Sequence, residues 1–157
     1  MIQRIQTVYW VLTIVTSTIF FFLPISEITV NESIYQLKAS GVYYLDAEGY
    51  VFDSPLITLS SVLFFHILLT LICIFQFKNR ELQIKLSALN LFLLIGLIGL
   101  TFLYTGEVSE VAIDGSNQEV TYTWLNLILI IPIVGTFLAK KAVEKDEKLV
   151  KSLDRLR

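Results

Sequence analysis

Leu56-Ile57-Thr58-Leu59-Ser60-Ser61-Val62-Leu63-Phe64-Phe65-His66-Ile67-Leu68-Leu69-Thr70-Leu71-Ile72-Cys73-Ile74-Phe75-Gln76-Phe77 is an apolar run of 22 residues, closed by Lys78, Asn79 and Arg80. At a helical rise of about 1.5 Å per residue it reaches ~33 Å, enough to cross the hydrocarbon of a bilayer. A water-soluble domain has no use for such a stretch. Thr7 to Ile25, Leu86 to Tyr104 and Trp124 to Ala139 repeat the pattern, which predicts four membrane-spanning helices. The composition agrees, at 55% hydrophobic and 17% charged with a mean hydropathy of +0.70, because soluble domains lie nearer a quarter charged. A chain of 157 residues fits one integral membrane domain, 1–157.

Between the runs the composition changes. Ser26 to Asp53 carries acidic residues among β-branched and aromatic clusters, so that Ile28 to Val30, Ile34 to Leu37, Val42 to Leu45 and Tyr50 to Phe52 read as short strands. Asp46-Ala47-Glu48-Gly49 supplies a hairpin loop, with Gly49 free to take a positive φ. Thr105 to Thr123 has no Lys or Arg. It reads as a second hairpin, with Val111 and Ile113 before Asp114-Gly115-Ser116-Asn117 and Val120, Tyr122 and Trp124 after it. A lone hairpin is marginal, so these strands are expected to join those of the first loop in one sheet.

Pro24 is expected to end the first helix, and Phe20 to Pro24 occupy the place where a cleaved signal needs small residues. The first run is therefore expected to stay as a span. Lys78 to Lys85 is short enough to make the second and third helices antiparallel neighbours. Gly96 and Gly99 offer close packing in the third, and Pro132 a kink in the fourth. Lys140 to Arg157 puts Leu149, Leu153 and Leu156 on one helical face, with Glu144 and Lys148, and Glu147 and Lys151, at i, i+4 spacing. This tail reads as an amphipathic helix.

Lysines and arginines resist translocation, and eleven of the twelve fall at Arg4, after the second span or in the tail, against Lys38 alone in the polar loops. Both termini are thus expected in the cytoplasm and both β-rich loops outside. Trp124 and Tyr104 at the outer ends, and Tyr9 and Trp10 at the inner end, fit an interfacial aromatic belt.

His66 is the only histidine and the only ionisable side chain well inside a span apart from the thiol of Cys73, itself the only cysteine and most simply a small buried hydrophobe. Ionisable groups at that depth are candidates for proton movement, a haem axial position or a quinone hydrogen bond. The plainer reading is a neutral imidazole hydrogen-bonded to a Thr, Ser or Asn of a neighbouring helix. His66, Asn90 and Asn126 are the candidate ligand-binding residues, and Gln76 the further member of a polar path. The chain has no phosphate-binding glycine loop, no HExxH, no paired cysteines and no nucleophile in a recognisable setting. Catalysis is not expected, and neither is a cofactor or a bound metal; Asp114 to Asn117 lacks the spaced ligands of a calcium loop.

Met1-Ile2-Gln3-Arg4-Ile5-Gln6-Thr7 and the closing Lys145-Asp146-Glu147-Lys148-Leu149-Val150-Lys151-Ser152-Leu153-Asp154-Arg155-Leu156-Arg157, with four spans between them, resemble a bacterial family of four-helix membrane proteins catalogued as domain of unknown function 4293. No activity, cofactor or catalytic residue comes with that resemblance. It implies that Arg4 and the Asp154-Arg155 pair belong to a shared cytoplasmic feature, a contact between the first helix and the tail. The layout is also similar to that of claudins, but Ser26 to Asp53 lacks their Trp and cysteine pair, so only the architecture compares.

The expected fold is thus a mostly α membrane protein, a four-transmembrane-helix bundle with a small extracytoplasmic antiparallel β-sheet and a cytoplasmic C-terminal amphipathic helix. The expected place is a bacterial inner membrane, and the expected role that of a non-catalytic accessory or assembly subunit. The alternative is a small-solute carrier or a lipid- or quinone-binding protein centred on His66. Expected partners are the lipid bilayer and a membrane protein or second copy, with no nucleic acid. Arg4, Lys148, Lys151, Asp154 and Arg155 are the candidate partner or lipid contacts.

Overall fold

The computed structural model describes residues 3–30, 33–111 and 118–154. Among them are helices α1 (Gln3–Phe22), α2 (Ile57–Phe75), α3 (Arg80–Val111) and α4 (Ile130–Asp154), and strands β1 (Pro24–Val30), β2 (Ser33–Lys38), β3 (Gly41–Asp46), β4 (Gly49–Pro55) and β5 (Gln118–Tyr122). All four helices are long and apolar enough to cross a membrane, α4 together with the 3-10 turn before it. Each helix packs on two neighbours, α1 on α2 and α4, and α3 on the same pair. Buried positions recur at alternating spacings of three and four: Leu59, Leu63, His66, Thr70 and Cys73 on α2, and Gln83, Ser87, Asn90, Leu94 and Leu97 on α3. That is the seam of knobs and holes by which near-parallel helices pack.

The sheet closes one end of the bundle in the order β4-β3-β2-β1-β5, every pair antiparallel. Its first four strands come from the connection between α1 and α2 and its fifth from that between α3 and α4. One sheet therefore ties both connections together. Gly49, at φ 126°, closes the β3–β4 hairpin opposite Asp46.

Several boundaries differ from the sequence reading, each for a local reason. The first helix ends at Phe22 and Ile25 lies in β1, because Pro24 lacks an N–H and biases the preceding residue toward extended backbone. The third helix does not stop at Tyr104 but runs on through Thr105 to Val111, for ~48 Å in all. The hydroxyls of Thr105 and Ser109 are satisfied within it, donating back to the carbonyls of Thr101 and Gly106. Val111 is accordingly helical, and Asp114 to Asn117 lie outside the described residues.

The fourth apolar run begins with a 3-10 turn, Trp124–Leu129, and the tail is no separate helix but the continuation of α4. Pro132 falls in the first turn of α4, where a missing N–H breaks no hydrogen bond, so it starts a helix instead of kinking one. Trp10 is turned into the bundle at 2% exposure and is not an interfacial residue, whereas Trp124 is 77% exposed. A Cβ at Gly96 or Gly99 would meet nothing within 4 Å, while one at Gly135 would lie 2.6 Å from Thr13 Oγ1. The close helix approach is thus between α4 and α1, where Gly135 and Ala139 have the four-residue spacing of small residues that lets backbones meet.

Candidate functional site

The buried interior divides into two halves. Toward the sheet it is mainly apolar, with Phe20, Leu59, Leu63, Leu97 and Leu129 in one cluster and Ser26 hydrogen-bonded to Thr105 at 3.0 Å as its main polar contact. Toward the chain ends it is largely polar, with Gln6, Thr13, Ser17, His66, Thr70, Gln83, Ser87, Asn90, Thr136 and Asp146 all buried.

His66 stands at the boundary, fully buried, and is held from two other helices. Its Nε2 lies 2.9 Å from Ser17 Oγ on α1, and its Nδ1 lies 2.6 Å from Asn90 Oδ1 on α3. Asn90 donates through Nδ2 to Thr70 Oγ1 at 2.7 Å, and Thr70 donates to the carbonyl of His66 at 2.9 Å. These bonds assign the tautomer. Oδ1 of Asn90 can only accept, so Nδ1 carries the proton, and Nε2 accepts from the Ser17 hydroxyl. His66, Asn90 and Thr70 donate in one direction around a closed loop into which Ser17 feeds, an arrangement in which each bond polarises the next. Both ring nitrogens are occupied, which leaves His66 none to offer a metal, a haem or a quinone while this packing holds.

The other candidates are placed differently. Asn90 joins His66, but Asn126 does not; it sits at the sheet end and donates to the carbonyl of Ile25 at 2.7 Å. Gln76 is exposed just past the end of α2. The three amides therefore line no common path. Lys148 and Lys151 are exposed on α4. Lys151 pairs with Glu147 at 2.7 Å, while Glu144 turns to Lys140 at 3.7 Å and not to Lys148. The side chains of Arg4 and Asp154, and all of Arg155, lie outside the described residues. A contact between the start of α1 and the late part of α4 is nevertheless present. Gln6 donates through Nε2 to Asp146 Oδ2 at 2.6 Å, beside a cluster of Trp10, Cys73, Ala139 and Val143.

A cleft at the other end had no counterpart in the sequence reading. Its cavity volume is about 420 Å³, and it opens between the inner face of the sheet, the start of α2 and the last two turns of α3. It depends on two features that composition hides. One is the helical continuation of α3, which brings Tyr104, Glu107 and Val108 under the sheet. The other is a β-bulge: Val42 pairs with Ser54 and Tyr43 with Phe52, so Asp53 is an extra residue in β4. Neighbouring strand residues normally face opposite ways; the bulge lets Asp53 and Ser54 both line the cleft.

Across the sheet, Tyr50 donates to Glu27 Oε1 at 3.4 Å, and partial desolvation followed by the Glu27 charge raises the Tyr50 hydroxyl above the usual tyrosine range. At the opposite end of the bundle, the Lys85 ammonium bonded at 3.0 Å holds the exposed Glu81 carboxyl below its ordinary value.

A family model described as a domain of unknown function (DUF4293) matches residues 2–156. No curated protein matches the chain.

Proposed function

We propose, for a chain that belongs to the DUF4293 family and so inherits no known activity, the role of a non-catalytic accessory or assembly subunit of a membrane complex. In this reading it is an integral protein of a bacterial inner membrane, with both chain ends and the α2–α3 link cytoplasmic and the sheet outside. The four apolar helices support insertion. So do large apolar side chains exposed around the bundle, among them Val8, Phe64, Phe75, Phe92, Ile95 and Leu103. The distribution of lysine and arginine supports the orientation, since Lys38 alone lies at the sheet end.

The observation that carries the non-catalytic reading is the hydrogen-bond network of Ser17, His66, Asn90 and Thr70. It commits the one interior histidine and its polar neighbours to holding helices together. Partner contact is assigned to the late turns of α4, where Leu149 and Val150 are exposed among Lys148, Lys151 and Glu147. Affinity purification of the tagged chain in mild detergent is expected to recover a stoichiometric membrane partner, lost on truncation after Glu147. Repeated recovery of the chain alone, at native expression, would refute the proposal.

A further inference from the structure

Between the sheet and the end of α3, the 420 Å³ cleft combines features that the bundle interior lacks. Its volume lies within the range of small-molecule sites, roughly 300–1,000 Å³. Leu56 and Val108 form apolar wall, Tyr35 and Tyr104 bring aromatic rings, and Asp53 and Glu107 bring carboxylates. No ion pair or hydrogen bond engages either carboxylate among the described residues. Lys38, the one basic residue in the two β-rich loops between the apolar runs, is turned to the other face of the sheet. It stands 4.7 Å from the centroid of Tyr43, which pairs with Gln36 and Phe52 on the face of the sheet turned away from the cleft.

The bulge adds direction to the argument. A regular β4 would send Asp53 and Ser54 to opposite faces, and bulges recur where a strand must re-aim one side chain. Gly41 accommodates it from across the ladder. A Cβ there would sit 2.5 Å from the Ser54 carbonyl oxygen and 2.7 Å from the Phe52 ring, so β3 carries glycine where β4 is bulged.

We propose that this cleft binds an organic ammonium with an apolar body, its charge met by Asp53 and Glu107 and its body laid against Tyr35, Tyr104 and Leu56. Anions are repelled by the paired carboxylates, and neutral molecules forgo both the carboxylates and the attraction of a cation to tyrosine faces. The cleft stands where α2 begins and the apolar part of α3 ends, a height at which the ammonium is either that of a free amine or that of a phospholipid headgroup. The chemistry is the same in both.

The test uses the full chain purified in a nonionic detergent and benzyltrimethylammonium as the probe, followed by saturation-transfer NMR and calorimetry. For a ligand of this size a Kd on the order of millimolar is expected. Benzyl alcohol and benzoate should bind far more weakly, and added salt should weaken the cation. Exposed carboxylates act through solvent, so D53N and E107Q should each weaken binding about three-fold and the double variant about ten-fold. E107Q lies on an exposed helix position outside the sheet, so its loss of affinity with unchanged elution and circular dichroism is not a folding effect.

Nanodiscs of phosphatidylglycerol with and without phosphatidylethanolamine separate the sources. Displacement of the probe by phosphatidylethanolamine assigns the site to a lipid headgroup, and undiminished binding assigns it to a free amine. Absence of saturable binding in the low-millimolar range, equal binding of benzyl alcohol, or a double variant within two-fold of the parent overturns the proposal.

Discussion

Replacing Asn90 by Leu keeps the side-chain volume close to its original value and removes two hydrogen bonds at once, the 2.6 Å contact to His66 Nδ1 and the 2.7 Å contact to Thr70 Oγ1. The imidazole can shift its proton to Nε2 and donate to Ser17, but Nδ1 is then a buried acceptor without a partner. A buried polar atom left unsatisfied costs about 1–3 kcal/mol. The lost interhelical bond to Thr70 adds roughly 0.6 kcal/mol, the mean measured for such pairs in membrane helices. Asn90→Leu should therefore destabilise by about 1.5–3.5 kcal/mol.

The informative step is His66→Leu on top of it, which removes the orphaned acceptor. Thr70 keeps its bond to the residue-66 carbonyl, and Ser17 can donate back along its own helix. The double variant should consequently be more stable than the sum of the single effects predicts, by about 1–2 kcal/mol of coupling. Reversible unfolding in mixed micelles with increasing dodecyl sulfate, followed by far-ultraviolet circular dichroism, reads all four corners of the cycle. A coupling below about 0.5 kcal/mol would refute the claim that these side chains act as one polar lock.

Gly135→Ala places a methyl 2.6 Å from Thr13 Oγ1 and should cost about 1–3 kcal/mol by overpacking. In a Thr13→Ala background the next atoms are the Tyr9 carbonyl at 3.3 Å and the residue-13 Cβ at 3.9 Å, so the same micelle titration should show most of the loss restored. Gly41→Ala collides with the Ser54 carbonyl and the Phe52 ring, and should loosen β3 and β4 while sparing the helices; hydrogen exchange localised to residues 41–55 would show it, and uniform protection would count against it. Truncation after Glu147 removes the exposed residues 148–152 with the chain beyond them and should leave the melting temperature unchanged within a few degrees. Truncation after Ala139 also removes buried Val143 and Asp146 and should lower the melting temperature sharply.

What the sequence made legible is what depends on composition over many residues. Four apolar runs, a β-rich first loop and the Gly49 hairpin are properties of whole segments or of a residue type with few alternatives, and the structure has each. What it concealed depends on single contacts between distant segments. Thr105 to Val111 mixes β-branched and polar residues and reads as the approach to a hairpin, yet it follows directly on a 25-residue helix that needs no new nucleus to continue. The Asp53 bulge exists only as a register between two strands. Gly135 and Ala139 did carry a readable signal, the four-residue spacing of small residues, which was overshadowed by the glycine pair at 96 and 99. Trp10 reads as an interface residue by type, but its position four after Gln6 and three before Thr13 places it on the buried seam of α1.

The partition of the interior explains why one histidine in a span need not mark a conduit. A path for a polar solute has to offer partners along its whole length, since each buried polar group without one costs several kcal/mol in an apolar medium. Here the polar residues extend from Gln6 and Asp146 up to Ser17, His66 and Asn90, and then give way to Phe20, Leu59, Leu63, Leu94, Leu97 and Leu129, all at 3% exposure or less. A solute reaching His66 would find its nitrogens already engaged and an apolar layer beyond. The same partition has a use as a packing device. In the bilayer proposed for it, leucines gain little by meeting each other instead of lipid, so a bundle of leucines alone would be free to slip, whereas hydrogen bonds joining α1 and α3 to one residue of α2 fix three helices in a single register. The half of the bundle with the polar lock is the half that lacks a sheet; the apolar half is tied by the pairing of β1 with β5. Each end of the molecule is thus held by hydrogen bonds, strand pairing with side-chain bonds such as Ser26 to Thr105 and Asn126 to the Ile25 carbonyl at one end, and the bonds of Ser17, His66 and Asn90 at the other.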